Sequence, residues 1–210
     1  MNLLQLAAKV AIDVGLEQPT AVAAATDATD RSAVELKQVL DFVGEDLSRR
    51  VDWQALRSNT TVTGDGTALA HPLPSAYFRT IAGNAVKLTN TGATVRGGLS
   101  AEEFTSLAAV SGVPRFYLIG GPPGAKTISF WPHLANTFQA TIIYQSMNWS
   151  PSSTAYASDA DQALLPDQLM IKGAIARWRR QKGMDYPDYV AEYEAALANF
   201  AAFDDGARSP

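Results

Sequence analysis

The clearest periodic pattern in this chain is a stripe of apolar residues near its C-terminal end. The members follow one another at spacings of 4, 3, 4 and 3, and they are Tyr186, Val190, Tyr193, Leu197 and Phe200. This spacing puts them on one face of an α-helix, because a helix turns once every 3.6 residues. A stripe of that length has to bury against other elements, so it predicts a helical bundle rather than an isolated helix.

A second helix is predicted just before this one. Pro166 suits a first helical turn, and Gly183 is a natural helix end. The apolar face between them is formed by Ile171, Ile175 and Trp178. Asp185 and Pro187 then have the form of an N-cap and first-turn pair for the following helix. Residues 164–203 are therefore predicted to be two helices joined by one sharp turn.

Helical patterns also occupy the N-terminal quarter of the chain. Apolar residues recur at helical spacing over 3–14, and Gly15 marks the end of that helix. A longer helix is predicted after Ser32, because Ser32 and Glu35 have the form of a capping box, with Thr26 as an earlier cap candidate. Its apolar face consists of Leu36, Leu40, Val43, Leu47 and Val51. We expect this face to pack against the two C-terminal helices.

The middle of the chain differs from both ends in composition, since it is rich in Thr, Val and turn residues. Strands are predicted at 60–63, 85–89, 93–96, 115–119, 126–131 and 139–147, while 76–81 is either a strand or a short irregular segment. Hairpin turns are predicted at 65–66, 90–92 and 120–125, and a short helix at 101–110. The fold class is therefore α+β, a bundle of N- and C-terminal helices with an inserted β-rich module.

The expected domain boundaries follow from these patterns. The helical bundle comprises residues 1–56 and 162–204, and the inserted module with its short helix spans 57–161. Residues 205–210 form a C-terminal tail without a periodic apolar face.

Composition limits the function classes. Hydrophobic residues make up 47% of the 210 residues, which is enough for a sizeable core. Charged residues make up only 18%, so either other subunits cover part of the surface or the surface is neutral and rich in Thr, Ser, Asn and Gln. The net charge of −4 gives no indication of sequence-specific nucleic-acid binding, which usually requires a basic surface. No apolar run approaches the roughly 20 residues that a membrane span needs, so we expect no membrane partner.

No catalytic or cofactor motif stands out. The chain has no cysteine, and its two histidines, His71 and His133, have no metal-ligand spacing around them. The glycine-rich stretch 120–124 precedes Lys126 but lacks the Walker order, so it predicts a hairpin turn. Acidic pairs at 102–103 and 159–161 leave a carboxylate hydrolase open, although such pairs are usually solvated caps. We therefore expect no enzyme activity, cofactor or metal.

A set of short motifs occurs in a characteristic order. They are Asp52-Trp53-Gln54-Ala55-Leu56-Arg57, Leu164-Leu165-Pro166, Trp178, Lys182-Gly183-Met184-Asp185-Tyr186, Tyr193-Glu194 and Asp204-Asp205-Gly206-Ala207-Arg208. With the helix–β–helix order, this set resembles the head-to-tail adaptor proteins of tailed phages. These are the P22-type tail accessory factors, also called portal adaptor or head completion proteins. The resemblance covers nearly the whole chain.

The resemblance implies a structural virion protein. Such adaptors form a ring, usually of twelve subunits, under the portal, where it prolongs the DNA channel and offers a docking surface to the tail. The implied partners are the portal protein, other copies of the chain, downstream tail or neck proteins, and double-stranded DNA passing through the lumen. The implied location is the virion neck, and the host cytoplasm during assembly. The implied portal-binding residues are Arg177, Arg180, Tyr186, Asp204, Asp205 and Arg208.

Two alternatives remain open at this stage. One is another neck component, a head-closure or tail-terminator protein, although those are mostly β and lack paired C-terminal helices. The other is a peptidoglycan hydrolase that uses carboxylates. For the basic cluster Arg177, Arg179, Arg180 and Lys182, two interpretations are equally good. The cluster contacts acidic residues of a partner or a nucleic-acid backbone, or it compensates the helix dipole and is solvated.

Overall fold

We analysed a computed structural model of the chain, which describes residues 1–81, 85–151 and 153–206, with side chains up to Asp204. The fold is mixed α+β, as predicted: N-terminal helices pack with C-terminal helices, and antiparallel sheets lie between them in the sequence. The chain forms two compact units. We call Met1–Leu56 with the chain from Met147 onward the helical unit, and Arg57–Ser146 the β unit.

The described helices are α1 (Leu3–Val14), α2 (Arg31–Arg50), α3 (Ala101–Ser106), α4 (Asp167–Gln181) and α5 (Pro187–Gly206), with a short 3₁₀ helix at Gln54–Leu56. The described strands are β1 (Arg57–Thr63), β2 (Ala70–Pro72), β3 (Tyr77–Thr80), β4 (Val86–Leu88), β5 (Ser111–Gly112), β6 (Phe116–Gly120), β7 (Thr127–Trp131), β8 (His133–Leu134) and β9 (Gln139–Ser146). None of the helices described combines the length and the apolar character that a membrane span requires.

Helix α4 is the centre of the helical unit, since α1, α2 and α5 all pack against it. The predicted apolar faces meet in one core, whose fully buried members include Leu6, Val10, Leu40, Leu47, Leu169 and Trp149. Burial of each leucine side chain contributes about 1.5–3 kcal/mol, so this core is the main source of stability of the unit. The predicted packing of α2 on α4 is confirmed.

The start of α2 differs from the prediction. Asp30, not Ser32, is the N-cap, and its carboxylate accepts a hydrogen bond from the Ala33 N–H at 3.0 Å. The predicted capping box at Ser32 is therefore wrong. The physical reason is that the Glu35 carboxylate is already engaged with Arg31 at 3.1 Å and Lys182 at 2.5 Å, so it does not turn back to the helix start.

The turn between α4 and α5 is the predicted one. Gly183 has φ +67°, and its N–H donates to the Arg180 carbonyl at 3.3 Å. The Met184 N–H donates to the Arg179 carbonyl at 2.9 Å, which completes a Schellman motif. Helix α5 begins at Pro187, so the cap position falls on Tyr186 instead of the predicted Asp185.

The β unit is built around strand β9. Strand β1 pairs with β9 along one edge, and β3 and β4 pair with the other edge, all antiparallel. A second sheet has the order β2–β7–β6, also antiparallel, while β5 and β8 form a short parallel pair. The core of the unit includes Val86, Leu88, Ile128, Phe130 and Ile142.

Two of the three predicted hairpin turns are confirmed. The turn at 120–125 joins β6 to its partner β7, and the turn at 90–92 brings the Ala93 carbonyl to the Leu88 N–H at 2.8 Å. The hairpin predicted at 65–66 is wrong, because β1 and β2 belong to different sheets. Asp65 instead forms a local turn, in which its carboxylate accepts hydrogen bonds from the N–H groups of Thr67 and Ala68.

Residues 147–161, which the sequence assigns to the inserted module, group with the helical unit. Trp149 explains this grouping: it is fully buried, and its ring lies so close to α2 that a Cβ at Gly44 would sit 2.5 Å from it. Asp159 adds a second link, since its carboxylate accepts hydrogen bonds from the N–H groups of Val22 and Ala23. Because this loop is polar in composition, the sequence gave no indication of either contact.

Candidate docking surface

Three of the residues predicted to bind a portal lie in two places on the helical unit, and Tyr186 lies in neither. Arg177 and Arg180, on α4, line one groove between α2, α4 and α5. Tyr186 lies at the start of α5, and Asp204 lies in its last turn. The side chain of Asp205 and the whole of Arg208 lie outside the part of the chain that the structure describes.

The groove has a volume of about 300 Å³. We call it the arginine groove, and its lining includes Phe42, Arg50, Arg177, Arg180, Tyr193 and Glu194. The guanidinium carbon of Arg177 lies 3.2 Å from the centroid of the Phe42 ring. Phe42 is itself 44% exposed, so the cation and the ring form part of the surface and not of the core.

The four basic residues predicted as one cluster divide into two pairs with different roles. Lys182 binds Glu35 at 2.5 Å, and the guanidinium of Arg179 stacks on the Tyr189 ring at 4.1 Å. These two side chains therefore link the end of α4 to α2 and to α5. Arg177 and Arg180, by contrast, have no carboxylate within 4 Å among the described residues.

Arg177 and Arg180 are the cationic side chains of the groove that form no ion pair among the described residues. Burial and then the positive charge of Arg180 lower the pKa of Arg177, while Asp46 opposes the shift. A guanidinium nevertheless stays charged in proteins. Two such groups three residues apart on one helix suit a carboxylate or phosphate, which a guanidinium can bind through two parallel hydrogen bonds.

On the opposite wall of the groove, the positive charge of Arg50 is neutralised by a carboxylate of the same chain. Arg50 of α2 binds both carboxylate oxygens of Glu194 on α5, at 2.8 and 2.6 Å. This pairing lowers the pKa of Glu194 and raises that of Arg50. The Tyr193 hydroxyl donates to the Asp46 carboxylate at 3.3 Å, and burial followed by the nearby Asp46 charge raises the pKa of Tyr193.

The floor of the groove depends on a glycine. A Cβ at Gly173 would lie 2.7 Å from Val43 Cγ1 and 2.9 Å from Tyr193 Cε2. Only glycine therefore lets α2, α4 and α5 approach this closely without displacing a neighbour. The sequence showed Gly173 as a small residue on an apolar face, but it gave no sign of Phe42, because Phe42 lies off the apolar stripe of α2.

The second place is the end of α5, where the chain is tied to the 3₁₀ helix. The Asp204 carboxylate accepts a hydrogen bond from the Gln54 N–H at 2.9 Å, and the Gln54 side chain donates to the Asp204 carbonyl at 2.7 Å. An apolar groove opens beside this tie, and it is lined by Trp53, Leu164, Leu165, Pro166, Phe200 and Phe203. Phe203 is 80% exposed. Helix α5 continues to Gly206 and so includes the first two residues of the predicted tail 205–210, while the Asp204 carboxylate is engaged within the chain.

The two places are distinct. Glu194, which lines the groove, and Asp204 are ten residues apart on α5, about 15 Å at the rise of an α-helix. The predicted residues therefore define two contact areas at different positions along α5. A single small contact does not include both.

Three of the acidic candidates, Asp159, Asp161 and Glu103, have structural roles. The Asp159 carboxylate caps backbone N–H groups, as described above, and the Asp161 carboxylate accepts from Ala157 and Ser158. Glu103 completes a capping box with Ser100 at the start of α3, which ends at Ser106 and is shorter than the predicted 101–110. His71 is buried beside Phe130, and burial lowers its pKa. In the described ranges, acidic and histidine side chains form no group of three or more that could hold a metal.

Helices from both chain ends form one unit, the β unit is separate, and Arg177 and Arg180 form no ion pair within 4 Å among the described residues. This combination suits a structural protein that contacts other macromolecules, since arginine is enriched at protein interfaces. The family model described as SU10 adaptor protein matches residues 1–210, the whole chain. The chain therefore belongs to the SU10 adaptor protein family, the phage head-to-tail adaptors that the sequence motifs resemble. No curated protein matches it.

Proposed function

We propose that the chain forms a closed ring, for which we propose twelve copies, beneath the portal of a phage head. The ring prolongs the channel for double-stranded DNA and offers a docking surface to the tail or to further neck proteins. Its place is the virion neck, with assembly in the host cytoplasm. The observation that carries this proposal is the match of the adaptor family over the full length of the chain.

The architecture of the helical unit supports a ring subunit. Helix α4 packs against three other helices, so the unit is a rigid block. Among the described side chains of α5, Tyr193 and Leu197 are buried, and the others are exposed or half-buried. Such an open helix leaves room for a lateral, heterologous contact, the type of contact that closes rings.

The charge of the chain supports passage of DNA. The net charge of −4 is small and negative. A strongly basic lining would hold the phosphates by releasing counterions, whereas a neutral or acidic lining lets DNA slide. An adaptor channel needs the second behaviour.

We propose two contact areas for the portal. The first is the arginine groove, where Arg177 and Arg180 would receive acidic side chains of the portal, with Tyr186 nearby in the sequence. The second is the end of α5, where Asp204, Asp205 and Arg208 lead into the chain end. The tie between Asp204 and Gln54 sets the point from which this chain end departs.

The test is binding to the purified portal of the same phage, followed by negative-stain imaging. Arg180→Glu should weaken binding by roughly tenfold or more, because it replaces an attraction by a repulsion at a contact. Lys9→Glu is the matched control, since Lys9 is also exposed on the helical unit and undergoes the same change of charge. Equal loss in both variants would show a general effect of charge and would overturn the groove assignment. Failure of the unaltered chain to bind the portal would overturn the proposed function.

A further inference from the structure

The three-stranded sheet of the β unit has one face that belongs to neither core. Strand register places Phe116 opposite Trp131, with ring centroids 6.2 Å apart, and Leu118 opposite Ser129. The alternate residues of β6, Tyr117 and Ile119, pack against the core of the β unit. Because successive side chains of a strand point to opposite faces, Phe116, Leu118 and Trp131 lie on the outer face.

Arg96 extends this face by one strand. It forms a parallel bridge with Phe116, its N–H donates to the Arg115 carbonyl at 2.9 Å, and its carbonyl accepts from Tyr117 at 2.8 Å. Paired residues on neighbouring strands share a face, so the exposed Arg96 lies beside Phe116. We call Arg96, Phe116, Leu118 and Trp131 the outer sheet face.

The composition of the outer sheet face is that of a protein interface. An antiparallel sheet with one buried face normally carries polar side chains on the other. Here two aromatic side chains, a leucine and an arginine lie beside Ser129. The three apolar side chains are half-buried, and among the described residues they are not part of either hydrophobic core. The Trp131 indole N–H donates to the Ala108 carbonyl at 2.9 Å. Aromatic residues and arginine are enriched at the centres of protein–protein interfaces.

Charge divides sharply between the two units. The β unit contains six basic and three acidic residues, whereas the rest of the chain contains 11 basic and 18 acidic residues. The β unit is therefore net positive and the helical unit net negative. Each copy thus carries both a basic unit and its electrostatic complement.

We propose that the outer sheet face of one copy binds the acidic helical unit of a neighbouring copy. This inference rests on the proposed ring, in which identical copies repeat one contact around an axis. A contact between two different surfaces of the same chain is heterologous, and it closes when the rotation between copies divides a full circle. Attraction between the oppositely charged units favours this pairing and disfavours pairing of like units.

Nucleic acid is the less suitable occupant. Binding to a phosphate backbone grows with the number of phosphates that cations neutralise. The outer sheet face presents one guanidinium among three apolar side chains, which suits a protein surface.

The contact can be mapped directly because the chain has no cysteine, so one introduced cysteine gives one unique label. Ser129→Cys places a photoreactive maleimide on the outer sheet face, opposite Leu118. Labelled, isotopically heavy copies are mixed with unlabelled, light copies, assembled on the portal in the presence of DNA and irradiated. Cross-links are then read by mass spectrometry, where heavy–light pairs report contacts between different copies. Thr61→Cys, exposed on β1 in the other sheet, is the matched control.

We expect heavy–light cross-links from position 129 to the helical unit of another copy, and far fewer from position 61. Rings that form normally but cross-link position 129 to another β unit, to the portal, to DNA or to no other molecule would overturn the inference and leave the proposed function standing. Absence of rings on the portal would overturn the proposed function, and the inference with it.

A charge reversal gives a second readout. Arg96→Glu should lower the yield of rings on the portal by roughly tenfold or more, with an unchanged melting temperature of the monomer. Lys87→Glu is the control, because Lys87 is exposed in the same unit but belongs to the other sheet. Wild-type ring yield from Arg96→Glu would contradict the assignment of this face.

Discussion

Gly173 occupies the point at which three helices of the helical unit meet. An added methyl group there would lie 2.7 Å from Val43 Cγ1 and 2.9 Å from Tyr193 Cε2, distances that require a neighbour to move. The better helix propensity of alanine, about 1 kcal/mol, works in the opposite direction. Steric crowding and helix propensity therefore have opposite effects on the stability of a variant with alanine at this position. The close contacts outweigh the propensity.

We expect Gly173→Ala to lower the free energy of unfolding, because overpacking costs about 1–3 kcal/mol. Urea denaturation followed by circular dichroism measures the change. Gln168→Ala, at an exposed position of the same helix, is the control and should stay close to the wild type. A stabilised Gly173→Ala variant would mean that α2, α4 and α5 pack less closely than described.

Tyr193 joins the apolar stripe of α5 to the arginine groove. Tyr193→Ala should cost about 3–5 kcal/mol, the usual range for truncation of a large buried aromatic side chain. Tyr193→Phe removes only the hydrogen bond to Asp46 and should cost about 0.5–1.5 kcal/mol. Thermal melting of the two variants separates packing from hydrogen bonding, and an unchanged melting temperature for Tyr193→Ala would show that the stripe is not buried.

At the scale of the elements, α5 is held to its neighbours partly by charge. Arg50 binds Glu194, and Lys172 binds Glu192, so ion pairs connect α5 to both α2 and α4. The bond to Arg50 lowers the pKa of Glu194 below its ordinary value of 4.5. A carboxylate with a lowered pKa stabilises the folded state above the unfolded pKa, and this contribution is lost as pH falls through the folded pKa.

We therefore expect Glu194→Gln to destabilise the protein near neutral pH by several tenths of a kcal/mol to about 1 kcal/mol, the usual size for a surface pair. The difference from the wild type should shrink as pH falls from about 6 to about 3, because the carboxylate loses its charge. Denaturation curves across this pH range provide the measurement. A difference that is independent of pH would show that the pair contributes through packing alone.

The end of α5 gives a prediction about docking. Deletion of residues 207–210 leaves the tie between Asp204 and Gln54 intact, so the melting temperature should not change, while portal binding should be lost. Deletion of residues 204–210 removes the tie as well and should also lower the melting temperature. Calorimetry of both truncated chains, with a portal-binding assay, tests the pair. Wild-type portal binding by the shorter deletion would contradict the docking role of the chain end.

The sequence predicted the elements better than it predicted their partners. Helical stripes, hairpin turns and strand β9 were visible because they depend on neighbours a few residues away. The pairing of β1 with β9 was not, because the two strands are separated by most of the β unit. The arginine groove was found in part: Arg177 and Arg180 were named, but Phe42 and Glu194 reach it only through the packing of α2 and α5.

At the scale of the whole molecule, assembly should be templated by the portal. Ordering a chain end costs roughly 1–2 kcal/mol per residue in backbone freedom, which contacts to a preformed portal can offset. The portal also raises the local concentration of neighbouring copies, so weak lateral contacts suffice. In the proposed ring, the attraction between the helical unit of one copy and the β unit of the next would act only over about 8 Å at physiological salt, the distance over which charges are screened.

We expect the isolated chain to be mainly monomeric and to form rings only when portal is added. Sedimentation velocity of the chain alone, and then with portal, measures both states. The protein without portal at the same concentration and salt is the internal control. A stable ring in the absence of portal would contradict templating, although it would leave the adaptor role intact.

The tie between Asp204 and Gln54 has a mechanical consequence. Gln54 precedes Arg57, the first residue of the β unit, by only three positions. A tensile load on the chain end would therefore pass through two hydrogen bonds to the root of the insertion, bypassing the length of α5. A force exerted by a docked portal would thus be transmitted to the segment between Gln54 and Arg57, where the chain passes from the helical unit to the β unit.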